Sequence, residues 1–202
     1  TTGTHLSTAV HGYFLNGGNR AYVVNLGKDG TLAGKGSAPG GLNLLEAIDD
    51  VAIVCAPGYT DPASHDALIA HCENPLRQDR VAILDLVEDV DDVGRLLEVA
   101  TAGVPDKPPR TGEADGGDTE PKPPATTPSK ALGPPRSKDG YAATYHPWLV
   151  VMDPVSGEKV TAPPSGHMAG VWARTDATRG VHKAPANTNI AGVIDLKTRV
   201  SK

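Results

Sequence analysis

The side chains that could bind a metal ion or carry out catalysis include seven histidines and two cysteines. His65 and His71 lie six residues apart on one predicted helix, which is not the i,i+4 spacing of an HExxH zinc site. Cys72 directly follows His71, and adjacent helical residues point about 100° apart. The spacing of these residues therefore predicts no metal site, and we expect no cofactor.

Three further segments resemble catalytic or nucleotide-binding motifs only loosely. The run Ser165-Gly166-His167 lacks the GxSxG pattern of a nucleophile elbow, and we interpret Ser165 as a helix cap. Asp85 ends a predicted buried strand, but no partner motif accompanies it, so we interpret it as a loop-facing or capping acid. Gly34-Lys35-Gly36 does not match a phosphate-binding loop. No catalytic constellation remains, and we predict a protein that is not an enzyme.

The bulk composition excludes several classes of partner. A chain of 202 residues with a net charge of −5 has no basic footprint for nucleic acid or an anionic membrane. It contains no apolar run of about 18 residues, and its first residues do not have the pattern of a secretory signal. Cys55 and Cys72 stand in apolar settings, so we expect buried free thiols in a cytoplasmic protein.

The first third of the chain begins with a predicted helix over Thr4–Leu15. The apolar residues Leu6, Val10, Tyr13 and Phe14 recur along it at helical spacing, and Asn16-Gly17-Gly18 predicts its end. The β-branched run Ala21–Leu26 predicts a strand. The interval 27–41 contains six glycines and predicts a flexible loop.

The next segments alternate between strands and helices. Short helices are predicted over Leu42–Ile48 and His65–Glu73, and a longer one over Asp91–Ala102. Val51–Ala56 and Arg80–Leu86 are near-continuous apolar runs, typical of strands covered on both faces. This alternation predicts an α/β (α+β) fold, a layered sheet with packed helices in which at least two parallel strands are joined by a right-handed crossover.

The interval 105–140 interrupts this pattern. Its 36 residues contain nine prolines and five glycines, and Leu132 is its only large aliphatic residue. Such a composition cannot bury enough apolar surface to order itself, so we predict a disordered insert on the surface. A linker between two independent domains is the alternative. Because neither flank looks complete, we favour one domain formed by residues 1–104 and 141–202.

The segment that follows the insert is rich in aromatic residues and predicts a core or an interface. Trp148–Met152 and Lys159–Ala162 predict a hairpin, with a turn at 153–157 between them. Pro163-Pro164 ends the hairpin, and a helix is predicted from Gly166 to Arg179, ending at Gly180. Its small residues 169, 170 and 173 would let another backbone approach closely.

Three stretches together resemble the tail sheath proteins of contractile phages and related contractile injection systems. The first is AVHGYFLNGGNRAYVV from Ala9, and the second is VAIVCAPGYT from Val51 with the later Ala82–Leu86. The third combines YHPW, PPSGHMAG, ARTDATRGV and KAPAN, in that order, between Tyr145 and Asn187. The residues that carry this third pattern are Trp148, Pro163, Pro164, Ser165, Gly166, Gly170, Arg174, Asp176, Gly180, Pro185 and Asn187.

The resemblance implies a structural subunit of a contractile sheath, which surrounds an inner tube and drives it through a target cell envelope. Its implied partners are other sheath subunits in hexameric rings, the inner tube protein, and baseplate and cap proteins. It also implies assembly in the bacterial cytoplasm into a phage tail or an injection particle. The resemblance further implies that the family's N-terminal arm and C-terminal domain lie outside this chain, and we therefore expect that this piece alone could not polymerise.

Two other classes of protein are also compatible with the sequence. An α/β enzyme domain would need polar groups converging in a pocket at the carboxyl ends of Val51–Ala56 and Val81–Leu86. A surface decoration or adhesion module would use the proline-rich insert 105–140 to bind its partner.

Overall fold

A computed structural model describes residues 4–27, 30–34, 40–88 and 136–199. Within these ranges the chain forms three α-helices, one 3₁₀ helix and six strands. The helices are α1 (His5–Leu15), a 3₁₀ helix (Gly41–Ala47), α2 (Pro62–Cys72) and α3 (Ser165–Arg179). The strands are β1 (Ile53–Cys55), β2 (Val81–Asp85), β3 (Ala142–Tyr145), β4 (Leu149–Met152), β5 (Lys159–Ala162) and β6 (Val193–Leu196). The predicted α/β class is therefore confirmed.

The first sheet has the order β1-β2-β3, and both pairings are parallel. Its central strand is apolar on both faces. Ala82 and Leu84 belong to a core with α2 and the 3₁₀ helix, whereas Ile83 packs with Met168 and Val171 of α3. Helices thus cover both faces of the sheet, which confirms the prediction made from the continuous apolar runs.

The second sheet has the order β5-β4-β6 and is antiparallel. The predicted hairpin is confirmed, because Leu149 pairs with Ala162 and Met152 pairs with Lys159. Asp153 forms the turn, where its carboxylate accepts hydrogen bonds from the main-chain N–H of Val155 and from the hydroxyl of Ser156.

Strand β3 was not predicted from the sequence. Its residues Ala142–Tyr145 contain no long apolar run, and the strand exists because it pairs with β2, for example Ile83 with Ala143. Just before it, the carboxylate of Glu73 accepts hydrogen bonds from the main-chain N–H groups of Lys138 (2.6 Å) and Asp139 (3.2 Å). The last residues of the predicted insert are therefore attached to the end of α2.

One prediction for the N-terminal segment is wrong. Ala21–Leu26 forms no strand, because no described strand pairs with it and its residues are largely exposed. The predicted helix α1 is confirmed, but its most buried residues are the small ones, Thr8, Ala9 and Gly12, whereas Leu6 and Phe14 are exposed. The small residues are buried because α3 approaches this face closely.

Other boundaries differ in smaller ways. The predicted helix over Leu42–Ile48 is a 3₁₀ helix, and α2 begins three residues earlier than predicted, with Pro62 in its first turn. The predicted helix Asp91–Ala102 and most of the predicted insert 105–140 lie outside the described residues. Helix α3 has almost the predicted bounds, beginning at Ser165 and ending before Gly180.

Candidate functional site

A buried carboxylate lies at the carboxyl ends of β1 and β2, where an α/β enzyme would have its site. Asp85 Oδ1 accepts a hydrogen bond from the main-chain N–H of Ser165 at 2.8 Å. Asp85 Oδ2 accepts from the Ser165 hydroxyl at 2.7 Å and from the Gly58 N–H at 3.2 Å. Asp85 therefore caps the N-terminus of α3 from a different element and holds the turn after β1 at the same time. We call this cluster, with His65 and Cys55, the polar junction.

The interpretation of Ser165 as the helix cap is wrong. Pro164 occupies the cap position with a helical backbone, and it makes no side-chain cap hydrogen bond. Ser165 is the first helical residue and donates its hydroxyl to Asp85. A carboxylate suits this position better than a hydroxyl, because its negative charge faces the positive end of the helix dipole. The capping alternative for Asp85 is confirmed.

The geometry of the polar junction is not that of a catalytic triad. His65 Nε2 donates to the main-chain oxygen of Asp85 at 2.9 Å, not to its carboxylate or to Ser165. A triad requires the histidine between the serine and the acid, whereas here the serine binds the acid directly. His65, Asp85 and Ser165 are all at most 1% exposed. The three groups are therefore enclosed. Their hydrogen bonds join β2 to α2, to the turn after β1 and to the start of α3.

Burial sets the protonation of the groups in the polar junction. It raises the pKa of Asp85 to about 6, although the hydrogen bonds from Ser165 and Gly58 oppose the rise. It also raises the pKa of the nearby Cys55 thiol to about 12, and the charge of Asp85 adds to that effect. Burial lowers the pKa of His65. Since the thiolate is the nucleophilic form of cysteine, Cys55 is an unreactive thiol at neutral pH.

Helices α1 and α3 touch backbone to backbone through glycines. A methyl group on Gly166 would lie 2.5 Å from the Ala9 Cα, and one on Gly170 would lie 2.4 Å from the Tyr13 carbonyl oxygen. A methyl group on Gly12 would meet the ring of His167 at 2.4 Å. These distances leave no room for a side chain, so the predicted close approach of a neighbouring element to α3 is confirmed.

Asn16 ties this helix pair to the segment before β6. Its side chain is fully buried, its Nδ2 donates to Gly12 O (2.9 Å) and Ala191 O (3.1 Å), and its Oδ1 accepts from Ala191 N (2.7 Å). From α3, Arg174 Nη2 donates to Asn189 O at 2.9 Å. The sequence indicated only a helix end at Asn16, because its second partner lies 175 residues away.

The residues of the predicted motif fall into a buried set and a set nearer the surface. Trp148 is buried, donates its Nε1–H to Leu86 O at 2.8 Å and meets the ring of His5 edge to face. Pro163, Pro164, Ser165, Gly166 and Gly170 are also buried. The partly or fully exposed set comprises Arg174, Asp176, Gly180, Pro185 and Asn187. Their role as a shared family motif stays a prediction.

A pocket of about 440 Å³ lies where α3 ends and the KAPAN segment passes back along it. We call it the basic pocket. It is lined by Arg174, Thr175, Thr178, Arg179, Lys183, Ala186, Asn187 and Thr188. Two backbone features shape it: Gly180 ends the helix at φ 87°, and Asn187 adopts a left-handed φ of 54°. Three of its eight side chains are cationic and none is acidic.

Neither metal ligands nor membrane-spanning segments are found in the part of the chain that the structure describes. No group of three or more His, Cys, Asp or Glu side chains there is arranged to hold a metal ion. Cys55 and Cys72 are both free thiols, and burial raises the pKa of Cys72 to about 12. None of the described helices is long and apolar enough to cross a membrane.

The backbone of the chain is similar to solved structures of contractile injection systems. It matches the sheath complex of PVC, an extracellular contractile injection system, in its contracted state, with a TM-score of 0.61 and 24% identity over 98% of this chain and 41% of that one. It matches the contracted helical sheath of the anti-feeding prophage (AFP) with a TM-score of 0.54 and 23% identity, over 100% of this chain and 44% of that one.

A third match is to the six-fold symmetrised AFP baseplate, with a TM-score of 0.53 and 23% identity over 98% of this chain and 42% of that one. The chain therefore spans less than half the length of these proteins. Neither a protein-family model nor a curated protein matches it. At this identity the likeness shows the fold: the chain has the α/β fold found in sheath-type proteins of contractile injection systems.

Proposed function

We propose that this chain is part of a structural subunit of a contractile sheath, which surrounds an inner tube and contracts to drive it through a target cell envelope. The observation that carries the proposal is the match of 98% of the chain to a contracted sheath at a TM-score of 0.61. The sequence motifs between Tyr145 and Asn187 support the same role independently, because that resemblance depends on residue types and not on the backbone.

The packing of α3 supports a load-bearing role. Its N-terminal end is fixed by Asp85, its glycines 166 and 170 lie directly against the backbone of α1, and Arg174 holds the following segment. A subunit that moves as a rigid body in a contracting assembly needs elements that cannot slide past one another. The enclosed polar junction supports the same conclusion, since a structural subunit needs no site open to a substrate.

We also propose that residues 1–104 and 141–202 form one unit, with 105–140 as an insert on its surface. Two contacts between the part before the insert and the part after it support this arrangement: β2 pairs with β3, and α1 packs on α3. If limited proteolysis within 105–140 yields two fragments that stay together in gel filtration, the single unit is supported. Two separately folded fragments would contradict it.

The assembly that we propose consists of hexameric rings of this subunit around an inner tube protein, closed by baseplate and cap proteins. The likeness to extracellular injection systems favours an injection particle over a bacteriophage tail. We propose that the particle assembles in the bacterial cytoplasm.

The test is electron microscopy of the full-length protein, expressed with and without its inner tube partner. We expect helical tubes whose subunits contain this fold. As a matched control, Lys159→Gln, at the exposed first residue of β5, should leave tube formation unchanged, whereas Asp85→Ala, which breaks the polar junction, should abolish it. A well-folded protein that forms no tubes under either condition would contradict the proposed function.

A further inference from the structure

The basic pocket at the C-terminal end of α3 has positive charge that the described part of the chain does not neutralise. Arg174 uses one nitrogen on the Asn189 carbonyl, and the Lys183 ammonium group donates only to the neighbouring Ala184 carbonyl. Arg179 is exposed and makes neither a hydrogen bond nor an ion pair with any described residue. Two guanidinium groups and one ammonium group therefore line one concave surface, and none of the described residues that line it is acidic.

The nearest acid in sequence does not compensate this charge. Arg174, Thr175, Thr178 and Arg179 lie on one face of α3, because each residue advances about 100° around the helix. Asp176 falls about 130° from the centre of that face, and it is not among the residues that line the pocket. The hydroxyl groups of the two threonines already donate to carbonyls within α3. The groups left for a ligand are thus cationic donors and the Asn187 amide.

We propose that the basic pocket binds a carboxylate of a second copy of this chain, an inference that rests on the sheath role proposed above. A carboxylate matches the chemistry, because guanidinium forks hold its two oxygens with two parallel hydrogen bonds. A second copy matches the charge: the chain has 24 acidic and 19 basic residues, so its copies present carboxylates in excess. In a helical array each subunit offers one surface to a different surface of the next, which brings such a patch and an acidic surface together.

The position of the pocket supports this occupant. The N-terminal half of α3, from Ser165 to Val171, is buried inside the subunit, whereas the face that carries Arg179 and Lys183 is open to solvent. Contacts that hold the fold and contacts that hold a neighbour are therefore at opposite ends of one rigid helix. A carboxylate bound at this end would transmit force directly to the polar junction.

The test is zero-length cross-linking in tubes assembled from a one-to-one mixture of ¹⁴N- and ¹⁵N-labelled full-length subunits. A carbodiimide joins a lysine amine to a carboxylate only when the two are in contact. We expect mass spectrometry to find Lys183 joined to an Asp or Glu of a second copy, in peptide pairs of mixed isotopic label. Lys183→Arg keeps the charge but removes the amine, and should abolish this product while tubes still form.

Each other result overturns the inference. A Lys183 link to an inner tube or baseplate protein would assign the pocket to a different partner. Links within one copy only, or no link in well-formed tubes, would show that no second copy binds there, while the sheath role stands. If the protein forms no tubes at all, the sheath role and this inference fail together.

A second measurement tests the energetics in the same particles. Arg179→Gln with Lys183→Gln should reduce the yield of tubes at least tenfold at low salt, without changing the thermal unfolding of the subunit. Lys159→Gln, which removes a cation outside the pocket, should leave the yield within about twofold. Equal tube yields for the two variants would overturn the inference. Raising the salt concentration should lower the tube yield of the wild type toward that of the double variant, because salt screens the ion pairs.

Discussion

The two ends of helix α3 lie in opposite surroundings. At the N-terminal end, Ser165 and its neighbours are fully buried. The carboxylate of Asp85 faces the positive end of the helix dipole there and accepts hydrogen bonds from the N–H and the hydroxyl of Ser165. At the C-terminal end, Arg179 and Lys183 are exposed and their charge is not matched by any lining acid. The negative charge at the N-terminal end and the positive charges at the C-terminal end both complement the helix dipole, but only the negative charge is buried and hydrogen-bonded within the fold.

This difference means that the N-terminal end of α3 contributes to the stability of the fold, whereas its C-terminal end is available for association. A buried group that accepts three hydrogen bonds contributes strongly to folding, because removing it leaves its donors unsatisfied in a dry interior. An exposed cation contributes little to folding, because water solvates it well. Substitutions along one helix should therefore have effects on the free energy of unfolding that fall steeply from its first residue to its last.

The largest effect is expected at Asp85. Asp85→Ala leaves the Ser165 N–H, the Ser165 hydroxyl and the Gly58 N–H without their acceptor, and should lower the free energy of unfolding by at least about 3 kcal/mol, at roughly 1–3 kcal/mol for each unsatisfied donor. Urea-induced unfolding measures it. Asp49→Ala is the control, since that side chain is 94% exposed and its removal should cost less than about 0.5 kcal/mol. Similar losses for the two variants would contradict a structural role for the junction.

The next effect is a pH dependence carried by the same carboxyl group. The pKa of Asp85 is raised by burial from 3.8 to about 6, so the part of the stability that depends on its proton is fully present below pH 3.8 and is lost as the pH rises through 6, while the hydrogen bonds that the carboxylate accepts remain. Between pH 7 and pH 4 the wild type should gain up to about 3 kcal/mol relative to Asp85→Asn, at about 1.4 kcal/mol per pKa unit. Urea midpoints measured across this range test it.

His167 provides the opposite sign in the same experiment. Burial lowers its pKa from 6.5 to about 4, and the charge of His11 adds to this effect. Its contribution is therefore present above pH 6.5 and is lost as the pH falls through 4. His167→Gln should become more stable relative to the wild type on acidification, whereas Asp85→Asn should become less stable. Parallel pH profiles for the two variants would contradict the assignment of these groups.

A smaller loss is expected in the contact between α1 and α3. Gly166→Ala places a methyl group 2.5 Å from the Ala9 Cα, so a helix backbone must shift. Overpacking costs about 1–3 kcal/mol, and alanine regains about 1 kcal/mol of helix propensity, so we expect a net loss of up to about 2 kcal/mol in the free energy of unfolding. Ala177→Ser, on the exposed side of the same helix, should change it by less than about 0.5 kcal/mol. A stabilised Gly166→Ala protein would show that the helices are not in close contact.

Much of α3 could be predicted from the sequence, but its polar contacts could not. The small residues Ala169 and Gly170 indicated a close neighbour, and Gly180 indicated the end of the helix. Which element approaches is a long-range property: α1 buries Ala9 and Gly12 against this face, whereas its larger side chains Leu6 and Phe14 are exposed. The apolar spacing indicated the helix but not the face that it buries, because the close contact with α3 selects that face.

Contacts between residues far apart in the sequence also explain the errors at the start of α3 and in the strands. Ser165 has the residue type of a helix cap, and local rules could not show that an acid 80 residues earlier in the chain takes that role. Strand β3 was missed although it exists, because it pairs with β2. The strand predicted over Ala21–Leu26 does not form, because no described strand pairs with it. Strand formation depends on that pairing more than on β-branched residues.

The smallest effect on folding is expected at the last turn of α3, and it completes the comparison. Arg179→Gln removes an exposed cation at the C-terminal end of the helix dipole, so the free energy of unfolding should change by less than about 0.5 kcal/mol. Arg174→Gln is the matched variant in the same pocket. It loses the hydrogen bond to the Asn189 carbonyl and should cost up to about 1 kcal/mol more, since hydrogen bonds contribute about 0.5–1.5 kcal/mol. Urea unfolding of both variants measures the difference. If Arg179→Gln proves as destabilising as Asp85→Ala, the exposed end of α3 is part of the fold and is not free to bind a neighbour.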